Sequence, residues 1–393
     1  MKTIISGFGC LCSLGDNVNQ ITKNLYEQNV EPSFITDRFD SSYTSEYPAF
    51  EVSKDILRQK KADESYSFLF LRKALDEALK AAGLDEKELK KFRVGVCIGT
   101  SVDVSFNCFD FYKSWRKDNN VSLDPLKKYL AYSPAQEILN FLSLDGIAQT
   151  IVTACASGTD ALGTAAEWIK NDLCDIAIAG AADELNLIPF TGFIKLMIAS
   201  KKPCRPFDKN RNGINLGEGA GVFILESENA RGGIKKAGTV LGYGTACDGY
   251  HITSPHPQGR GLTKALNFAL PQAAISPDKI SFINAHGTAS IDNDAVEAKV
   301  FNSLLKGIPV NATKGLTGHA LGAAGAIEAC LSLIALNTAK VPKTKNFKTI
   351  DDNLDLVPTT QNINIDPTKA AVSTSLSFGG CNSVLILGGK NYE

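Results

Sequence analysis

A cysteine flanked by two alanines is the residue of this sequence best placed to act as a nucleophile. Cys155 follows the apolar run Ile147 to Val152, which predicts a short buried strand, and precedes the small-residue run Ala161 to Ile169, which predicts a helix. Free N–H groups at a helix start favour a thiolate over a thiol, and they can hold the oxyanion of an acyl transfer. The spacing therefore predicts a reactive, ionised cysteine with acyl-transfer chemistry.

Two histidines are the candidates for acid, base or hydrogen-bond donor. The sequence has only four histidines, and His286 and His319 each lie next to glycine at the expected end of a strand or helix. Glycine lets a substrate approach the backbone closely. Neither histidine has the spacing of a metal ligand, so the pattern favours donor or proton-transfer chemistry and no metal site.

Composition narrows the classes of function. The chain has 393 residues, a net charge of −1, 44% hydrophobic and 21% charged residues, which is typical of a globular protein large enough for two subdomains. A net charge so close to zero gives no overall electrostatic field that would favour binding to nucleic acid or to a membrane. Ten cysteines without regular spacing or an export signal predict reduced thiols and a cytoplasmic location.

The elements that must position these residues follow an α/β pattern with an internal echo. Cys155 lies six residues before an Ala-Leu-Gly run, and Lys314 lies six residues before another, each after an apolar strand pattern and before a small-residue helix. The echo predicts a duplicated α/β unit, with residues 1–240 carrying the cysteine and residues 241–393 carrying both histidines. Equivalent turns of the two halves would then meet at one site. Further patterns predict helices over Tyr129 to Leu142 and Gly318 to Leu336.

Three runs resemble the signature blocks of the elongating β-ketoacyl-[acyl carrier protein] synthases. They are Thr153-Ala154-Cys155-Ala156-Ser157-Gly158, Asn284-Ala285-His286-Gly287-Thr288, and Lys314 with Gly318-His319 and Gly322-Ala323-Ala324-Gly325. Their order and separations also match. Further similarity extends over nearly the whole chain, including Arg205-Pro206-Phe207-Asp208, Gly217 to Gly221, Asp248 to Pro255 and Phe378-Gly379-Gly380.

The resemblance implies a thiolase-like duplicated α/β fold, layered α-β-α-β-α, with a Cys-His-His site. Cys155 would take an acyl group from a carrier-protein thioester, and the backbone N–H groups of Cys155 and Phe378 would form the oxyanion hole. His286 and His319 would donate hydrogen bonds to the malonyl thioester and stabilise the enolate left by decarboxylation. An enolate needs such donors because a carbanion beside a thioester is otherwise too basic.

The resemblance also implies supporting residues and partners. Lys314 would lie near His319, with Glu328 holding the network. The remaining implied positions are Asp294 and Glu297 as structural supports, and Thr253, Thr288, Phe378 and Val102 as contacts of the pantetheine arm or the acyl substrate. No cofactor would be bound, because an acyl carrier protein delivers the phosphopantetheine arm. The expected assembly is a homodimer, or a heterodimer with a chain-length-factor-like homologue.

Two departures from the family pattern leave the acyl substrate open. The stretch Gly99 to Val104 lacks the usual glycine-rich run and contains Asp103, and the run Leu376 to Asn382 has lost a glycine and an aromatic residue. Both fatty acid synthesis and a polyene or polyketide pathway therefore stay possible.

Three other classes compete with this interpretation. A papain-like hydrolase would share the order of cysteine before histidine, but its local signature is missing. A non-decarboxylating thiolase would need a second cysteine, for which Cys381 is the candidate. A non-catalytic chain-length-factor-like subunit would lack the nucleophile, so Cys155 argues against it.

Overall fold

The computed structural model describes residues 2–61, 64–102, 109–118 and 121–393. Asp103 and Val104, which the sequence analysis singled out, lie outside these residues. The strands are β1 Thr3–Cys12, β2 Val94–Gly99, β3 Gly146–Ile151, β4 Ile176–Asp183, β5 Gly219–Ser227, β6 Gly238–Cys247, β7 Ile280–Asn284, β8 Val310–Asn311, β9 Lys340–Val341, β10 Ile363–Asn364, β11 Ala370–Leu376 and β12 Cys381–Gly389.

The helices lie between these strands along the chain, singly or in groups. They are α1 Val18–Glu27, α2 Lys54–Leu57, α3 Tyr66–Ala82, α4 Glu86–Leu89, α5 Phe109–Lys117, α6 Asp124–Ala131, α7 Pro134–Phe141, α8 Ser157–Lys170, α9 Leu187–Lys195, α10 Arg260–Ala273, α11 Ile291–Leu304, α12 Lys314–Thr317 and α13 Ala324–Asn337. Within the described ranges, no helix is long and apolar enough to span a membrane.

The main sheet repeats one strand order in the two parts of the chain. It runs β3-β2-β4-β5-β1-β6-β12-β11-β7-β8. When only the strands of this sheet are counted, the order from either outer edge is the third, second, fourth, fifth and first strand of that part. A short antiparallel contact between β1 and β6 joins the parts. The repeated order confirms the predicted duplicated α/β fold. The predicted boundary at residue 240 falls inside β6 and stays a prediction.

Two helices, α8 and α13, lie between the two parts of the chain and form the central layer of the fold. α3 packs on β1 and β5, and α10 packs on β6 and β12, while α8 and α13 contact each other and strands of both parts. A methyl group at Gly158 would lie 2.7 Å from the backbone nitrogen of Ala326, and one at Gly325 would lie 2.2 Å from Thr159 Oγ1. Glycine at both helix starts therefore lets α8 and α13 approach closely, which brings the turns that precede them together.

The internal echo has a different register from the one that the sequence suggested. A 3₁₀ turn, Ala154–Ala156, precedes α8, and the equivalent 3₁₀ turn, Leu321–Ala323, precedes α13. Cys155 therefore corresponds to Gly322 and not to Lys314. The helix predicted from Gly318 begins only at Ala324, because Gly318 has a φ of 64° and the 3₁₀ turn intervenes.

Two other predicted elements also differ from the structure. β3 is an edge strand, and Ile147 is 40% exposed, so the strand before Cys155 is not buried in the single chain. The helix predicted over Tyr129 to Leu142 is broken into α6 and α7. Pro134 begins α7 and disfavours helical geometry at Ser133, which instead caps α7 through its side chain.

Candidate active site

The nucleophile candidate lies on a tight turn between β3 and α8. Ala154 has a φ of 51°, a left-handed conformation that is uncommon for a residue with a side chain. Ser157 stabilises the turn, because its Oγ accepts from the Thr153 N–H at 2.9 Å and donates to the Ala154 carbonyl at 2.7 Å. Cys155 is 6% exposed and lines a cavity of about 510 Å³. The turn thus presents its thiol to this cavity.

The predicted thiolate is not favoured in this site. Burial raises the pKa of Cys155 to about 12, against the Lys314 ammonium and the backbone N–H groups of Phe378 and Cys155, which act to lower it. The interpretation that the helix start ionises the thiol is therefore wrong, because loss of hydration outweighs these favourable groups. The same two N–H groups nevertheless act at the sulfur, where an acyl group would be attached.

The two candidate histidines face each other beside this cysteine. The ring centroids of His286 and His319 are 5.2 Å apart with the planes at 88°, and both residues line the cavity. His319 Nδ1 accepts from the Leu321 N–H at 3.0 Å, and Lys314 Nζ lies 3.1 Å from His286 Nδ1. With Nδ1 used as an acceptor, each neutral ring carries its hydrogen on Nε2. The site therefore holds two Nε2–H donors.

Burial keeps both histidines neutral. Loss of hydration, and then the nearby Lys314 ammonium, hold the pKa of His286 and the pKa of His319 well below the usual value of 6.5. A neutral ring protonated on Nε2 cannot take a proton there. These histidines are thus suited to donate hydrogen bonds to a developing negative charge, and unsuited to deprotonate Cys155 at Nε2.

Lys314 is buried and bonded to His286 rather than to His319. Its ammonium has three donors, and their acceptors are the His286 carbonyl at 2.7 Å, His286 Nδ1 and Glu328 Oε1. Burial raises the pKa of Glu328 to about 7, while the charge of Lys314 opposes that shift. The pair fixes the ring of His286 in orientation and tautomer.

Two carboxylates of α11 hold the loop that carries His286. Glu297 accepts from the backbone N–H of His286 at 2.8 Å and of Gly287 at 2.7 Å. Asp294 accepts from the Phe207 N–H at 2.7 Å and from the Ala289 N–H at 3.2 Å. Burial raises the pKa of Glu297 to about 7 and that of Asp294 to about 6. Neither carboxylate lines the cavity, so both act by fixing the backbone.

The cavity brings together most, but not all, of the expected substrate contacts. Thr253, Thr288 and Phe378 line it with Cys155 and the histidines. Val102 is not among its described lining residues. It packs in another apolar cluster, with its N–H donating to Asp183 at 3.1 Å. Cys381 does not line the cavity either, which argues against a thiolase that uses it as a second catalytic cysteine.

Two residues of the site were missed by sequence reasoning. Asp183 accepts from Thr100 Oγ1 at 2.6 Å, from the Ser101 N–H at 2.9 Å and from the Gly322 N–H at 2.7 Å, so it ties the end of β2 to the second 3₁₀ turn. The sequence signal that could have identified this residue is a carboxylate at the end of the otherwise apolar strand β4. Phe193 stacks on Phe378 with ring centroids 5.3 Å apart, and nothing in the sequence pattern marked it.

The fold and the grouped cysteine and histidines define a thiolase-like condensing enzyme. Residues 2–230 match the N-terminal domain of the β-ketoacyl synthases, and residues 237–348 match their C-terminal domain. The chain belongs to the β-ketoacyl synthase family and is an acyltransferase that forms carbon–carbon bonds by condensation.

Named relatives agree with this family over the full length. The chain is 32% identical over 417 residues to 3-oxoacyl-[acyl-carrier-protein] synthase 2 of Synechocystis sp., covering 100% of this chain and 98% of that protein. The ishigamide ketosynthase/chain length factor structure superposes with a TM-score of 0.91 at 28% identity, covering 99% of both chains. A type II polyketide ketosynthase complexed with its acyl-carrier protein gives a TM-score of 0.88 at 26% identity, again covering 99% of both chains.

Proposed function

We propose that this enzyme elongates acyl chains by condensing an acyl thioester with malonyl-[acyl carrier protein]. In the first half-reaction, Cys155 Sγ attacks the thioester carbonyl, and the phosphopantetheine arm leaves as a thiol that carries the proton given up by Cys155. The N–H groups of Cys155 and Phe378 hold the oxygen of the tetrahedral intermediate. Support comes from the action of both N–H groups on the Cys155 sulfur.

The second half-reaction uses the two histidines. A malonyl thioester loses carbon dioxide, and its thioester oxygen becomes an enolate oxygen that accepts from the Nε2–H groups of His286 and His319. The enolate carbon then attacks the acyl group on Cys155, a carbon–carbon bond forms, and the sulfur leaves as a thiolate that takes a proton from solvent. The observation that carries this proposal is the engagement of both Nδ1 atoms by Leu321 and Lys314, which leaves two Nε2–H donors at one cavity.

The substrates arrive on an acyl carrier protein, whose arm enters along the cavity wall. Thr253 and Thr288, the two threonines expected to contact the pantetheine chain, line the same cavity as Cys155. In this proposal the enzyme holds no cofactor of its own. The Synechocystis relative is named for the same carrier protein, and the polyketide ketosynthase was solved with one.

The exposed edge strand β3 supports a dimer. Ile147 is 40% and Val152 is 65% exposed on or beside this edge, and unpaired apolar edges favour pairing with another chain. Symmetry makes a second copy the default partner. The likeness to the ishigamide ketosynthase/chain length factor supports a homologue as the alternative partner. The likeness to the type II polyketide ketosynthase supports a polyketide-type pathway as the alternative to fatty acid synthesis. We place the enzyme in the cytoplasm on account of its free thiols.

Intact mass spectrometry tests the proposal. The protein is incubated with a panel of acyl carrier thioesters and then with malonyl-[acyl carrier protein], and each acyl adduct is mapped to a peptide. We expect the acyl mass on Cys155 alone and its disappearance, with release of a β-ketoacyl carrier, after malonyl carrier is added. An adduct that forms equally in the Cys155→Ala variant would overturn the assignment.

A further inference from the structure

Two cysteines face each other across neighbouring strands beside the turn that holds Phe378. Cys247 is the last residue of β6 and Cys381 the first of β12, and the antiparallel register pairs them directly. The 3₁₀ turn Phe378–Gly380 immediately precedes Cys381. Of the cysteines in the described ranges, Cys247 is exposed, Cys381 is half-buried and the others are buried. This pair is not part of the Cys155 site.

The backbone pattern shows that the pair occupies a non-hydrogen-bonded position of the ladder. The next pair along, Asp248 and Gly380, is bonded through the Asp248 N–H at 2.7 Å, and such pairs alternate along the strands. The Cys381 carbonyl accepts from the Ser377 N–H at 2.8 Å and so points away from β6. At such positions the Cα atoms lie about 4.5 Å apart, which is within the range that a disulfide spans.

The side chains also share one face. Cys381 Sγ lies 3.6 Å from Thr245 Oγ1, and residues two apart on a strand point to the same side, so Cys247 shares that side with Thr245. The Cys247 thiol donates to the Gly379 carbonyl at 3.5 Å, which places its sulfur against the turn that contains Phe378. Both sulfurs therefore border the same turn.

We propose that Cys247 and Cys381 form a reversible disulfide that slows acyl transfer to Cys155. The effect on acyl transfer rests on the function proposed above, whereas disulfide formation does not. The oxidant is a small disulfide such as oxidised glutathione. Cys247 forms a mixed disulfide and releases one glutathione thiol, and Cys381 then attacks the Cys247 sulfur and releases the second. The protein loses two thiol hydrogens, and one glutathione disulfide becomes two thiols.

The order of attack follows from the surroundings. Cys247 is exposed, whereas burial and then the Asp160 carboxylate, 3.9 Å from Cys381 Sγ, raise the pKa of Cys381. Cys247 is therefore the thiol that meets the oxidant first.

Oxidation removes one anchor of the turn. In the reduced protein, two hydrogen bonds help to hold the turn. The Gly379 N–H donates to the Ile252 carbonyl at 2.7 Å, and the Cys247 thiol donates to the Gly379 carbonyl. A disulfide uses up that thiol hydrogen and ties the start of β12 to the end of β6. Because the Phe378 N–H acts at the Cys155 sulfur, a shift of this turn weakens the oxyanion hole.

The test compares a parent protein carrying Cys108→Ser, which removes the cysteine outside the described residues, with the same protein carrying Cys247→Ser or Cys381→Ser. Each is titrated with oxidised glutathione, digested without reductant, and examined for a peptide linking residues 247 and 381. The rate of Cys155 acylation is measured before oxidation, after it, and after dithiothreitol. We expect the linked peptide and a slower, thiol-restorable acylation only in the parent.

The outcomes separate the two proposals. A glutathione adduct on Cys247 without any linked peptide, even with excess diamide, would overturn the disulfide. A complete disulfide with unchanged acylation rate would overturn its effect on the turn. Absence of acylation in the reduced parent would contradict the proposed function, and the linked peptide would still report on the disulfide.

Discussion

The two 3₁₀ turns at the centre of the molecule have nearly the same backbone and opposite chemical roles. Ala154 has a φ of 51° and Leu321 a φ of 52°, and each turn leads into a helix of 14 residues. The glycines at the two helix starts, Gly158 and Gly325, each contact the partner helix. This pseudo-symmetry gives both parts a site at which backbone N–H groups converge.

The residues around the turns make the difference. At the first turn, the N–H of Cys155 acts at its own sulfur and faces the cavity. At the second, the Leu321 N–H holds His319 and the Gly322 N–H holds Asp183. One turn therefore presents a nucleophile, whereas the other uses its N–H groups to fix a donor and a carboxylate. The duplicated fold gives both turns the same geometry, and the residue in the middle of each turn, Cys155 or Gly322, determines its chemistry.

The largest expected effect comes from removing the nucleophile. Cys155→Ala abolishes acylation, measured as acyl adduct by intact mass, whereas Cys155→Gln retains malonyl decarboxylation because the histidine donors remain. Cys174→Ala, at a buried cysteine away from the cavity, is the control.

The difference between the two turns also predicts how a double variant behaves. Moving the thiol to the equivalent turn, in Cys155→Ala with Gly322→Cys, does not restore acylation, because a Cβ at Gly322 points at Asp183 Oδ2, 2.8 Å away. An acyl adduct on the thiol introduced at position 322 would show that the two turns are chemically interchangeable, contrary to this account.

Breaking the buried Lys314–Glu328 pair is the next largest effect. Lys314→Met leaves the Glu328 carboxylate buried without its cation, which lowers the free energy of unfolding by about 3–5 kcal/mol. Lys314→Met with Glu328→Met recovers most of that stability but not the decarboxylation rate, since the His286 ring has lost its orienting donor. Urea denaturation measures the stability, and carbon dioxide release measures the decarboxylation rate. Recovery of both in the double variant would contradict the positioning role of Lys314.

The histidines should affect one half-reaction more than the other. His286→Ala and His319→Ala each raise the barrier to decarboxylation by about 2.7–4 kcal/mol, because each removes a donor to the enolate oxygen. Acylation of Cys155 falls much less, since it develops no enolate. Carbon dioxide release and acyl adduct formation are measured on the same samples, with His256→Ala as control. Equal losses in both assays would refute this division.

How far the sequence predicts these features depends on the range of the interactions involved. Strands such as β2, β4 and β7, which are buried along their whole length, can be recognised from local sequence, because strands buried on both faces lack alternation. The family motifs placed Cys155, His286 and His319, and the structure groups all three around one cavity.

Features that depend on tertiary contacts were not predictable in this way. The helix start at Cys155 suggested an ionised thiol, but burial in the folded protein decides its pKa. The echo of Ala-Leu-Gly aligned Lys314 with Cys155, whereas the packing of α8 on α13 aligns Gly322 with it. A short sequence match cannot fix a register that two helix starts determine by close contact.

A smaller effect is expected at the second turn itself. A methyl group in Gly322→Ala would lie 2.8 Å from Asp183 Oδ2 and from the Ser101 nitrogen, so either the carboxylate or the strand end must move. Overpacking of this kind lowers the free energy of unfolding by about 1–3 kcal/mol. Gly232→Ala, with nothing within 4 Å of its added methyl, is the matched control in urea denaturation. An unchanged midpoint for Gly322→Ala would mean that Asp183 does not couple the turns.

The smallest expected effect is a pH dependence of stability that belongs to the two neutral histidines. Burial and Lys314 hold the pKa of His286 and of His319 well below 6.5, so below that pH the unfolded chain binds protons that the folded chain does not. Their contribution to the free energy of unfolding is therefore complete above about pH 6.5 and is lost as the pH falls further.

The buried carboxylates act in the opposite direction, so only a difference measurement isolates the histidines. Burial raises the pKa of Glu297 and of Glu328 to about 7, and the folded chain then binds more protons than the unfolded chain between about pH 4.5 and 7, which stabilises it as the pH falls. Because His286→Asn with His319→Asn leaves both carboxylates in place, the difference between parent and variant reports the rings. Urea denaturation at about pH 7.5 and about pH 5.5 should show the parent losing more stability on acidification than the variant. Equal losses in the two proteins would mean that the rings titrate near their ordinary pKa. The assignment of Nε2–H donors to His319, which the second turn holds, and to His286, which Lys314 holds, would then be wrong.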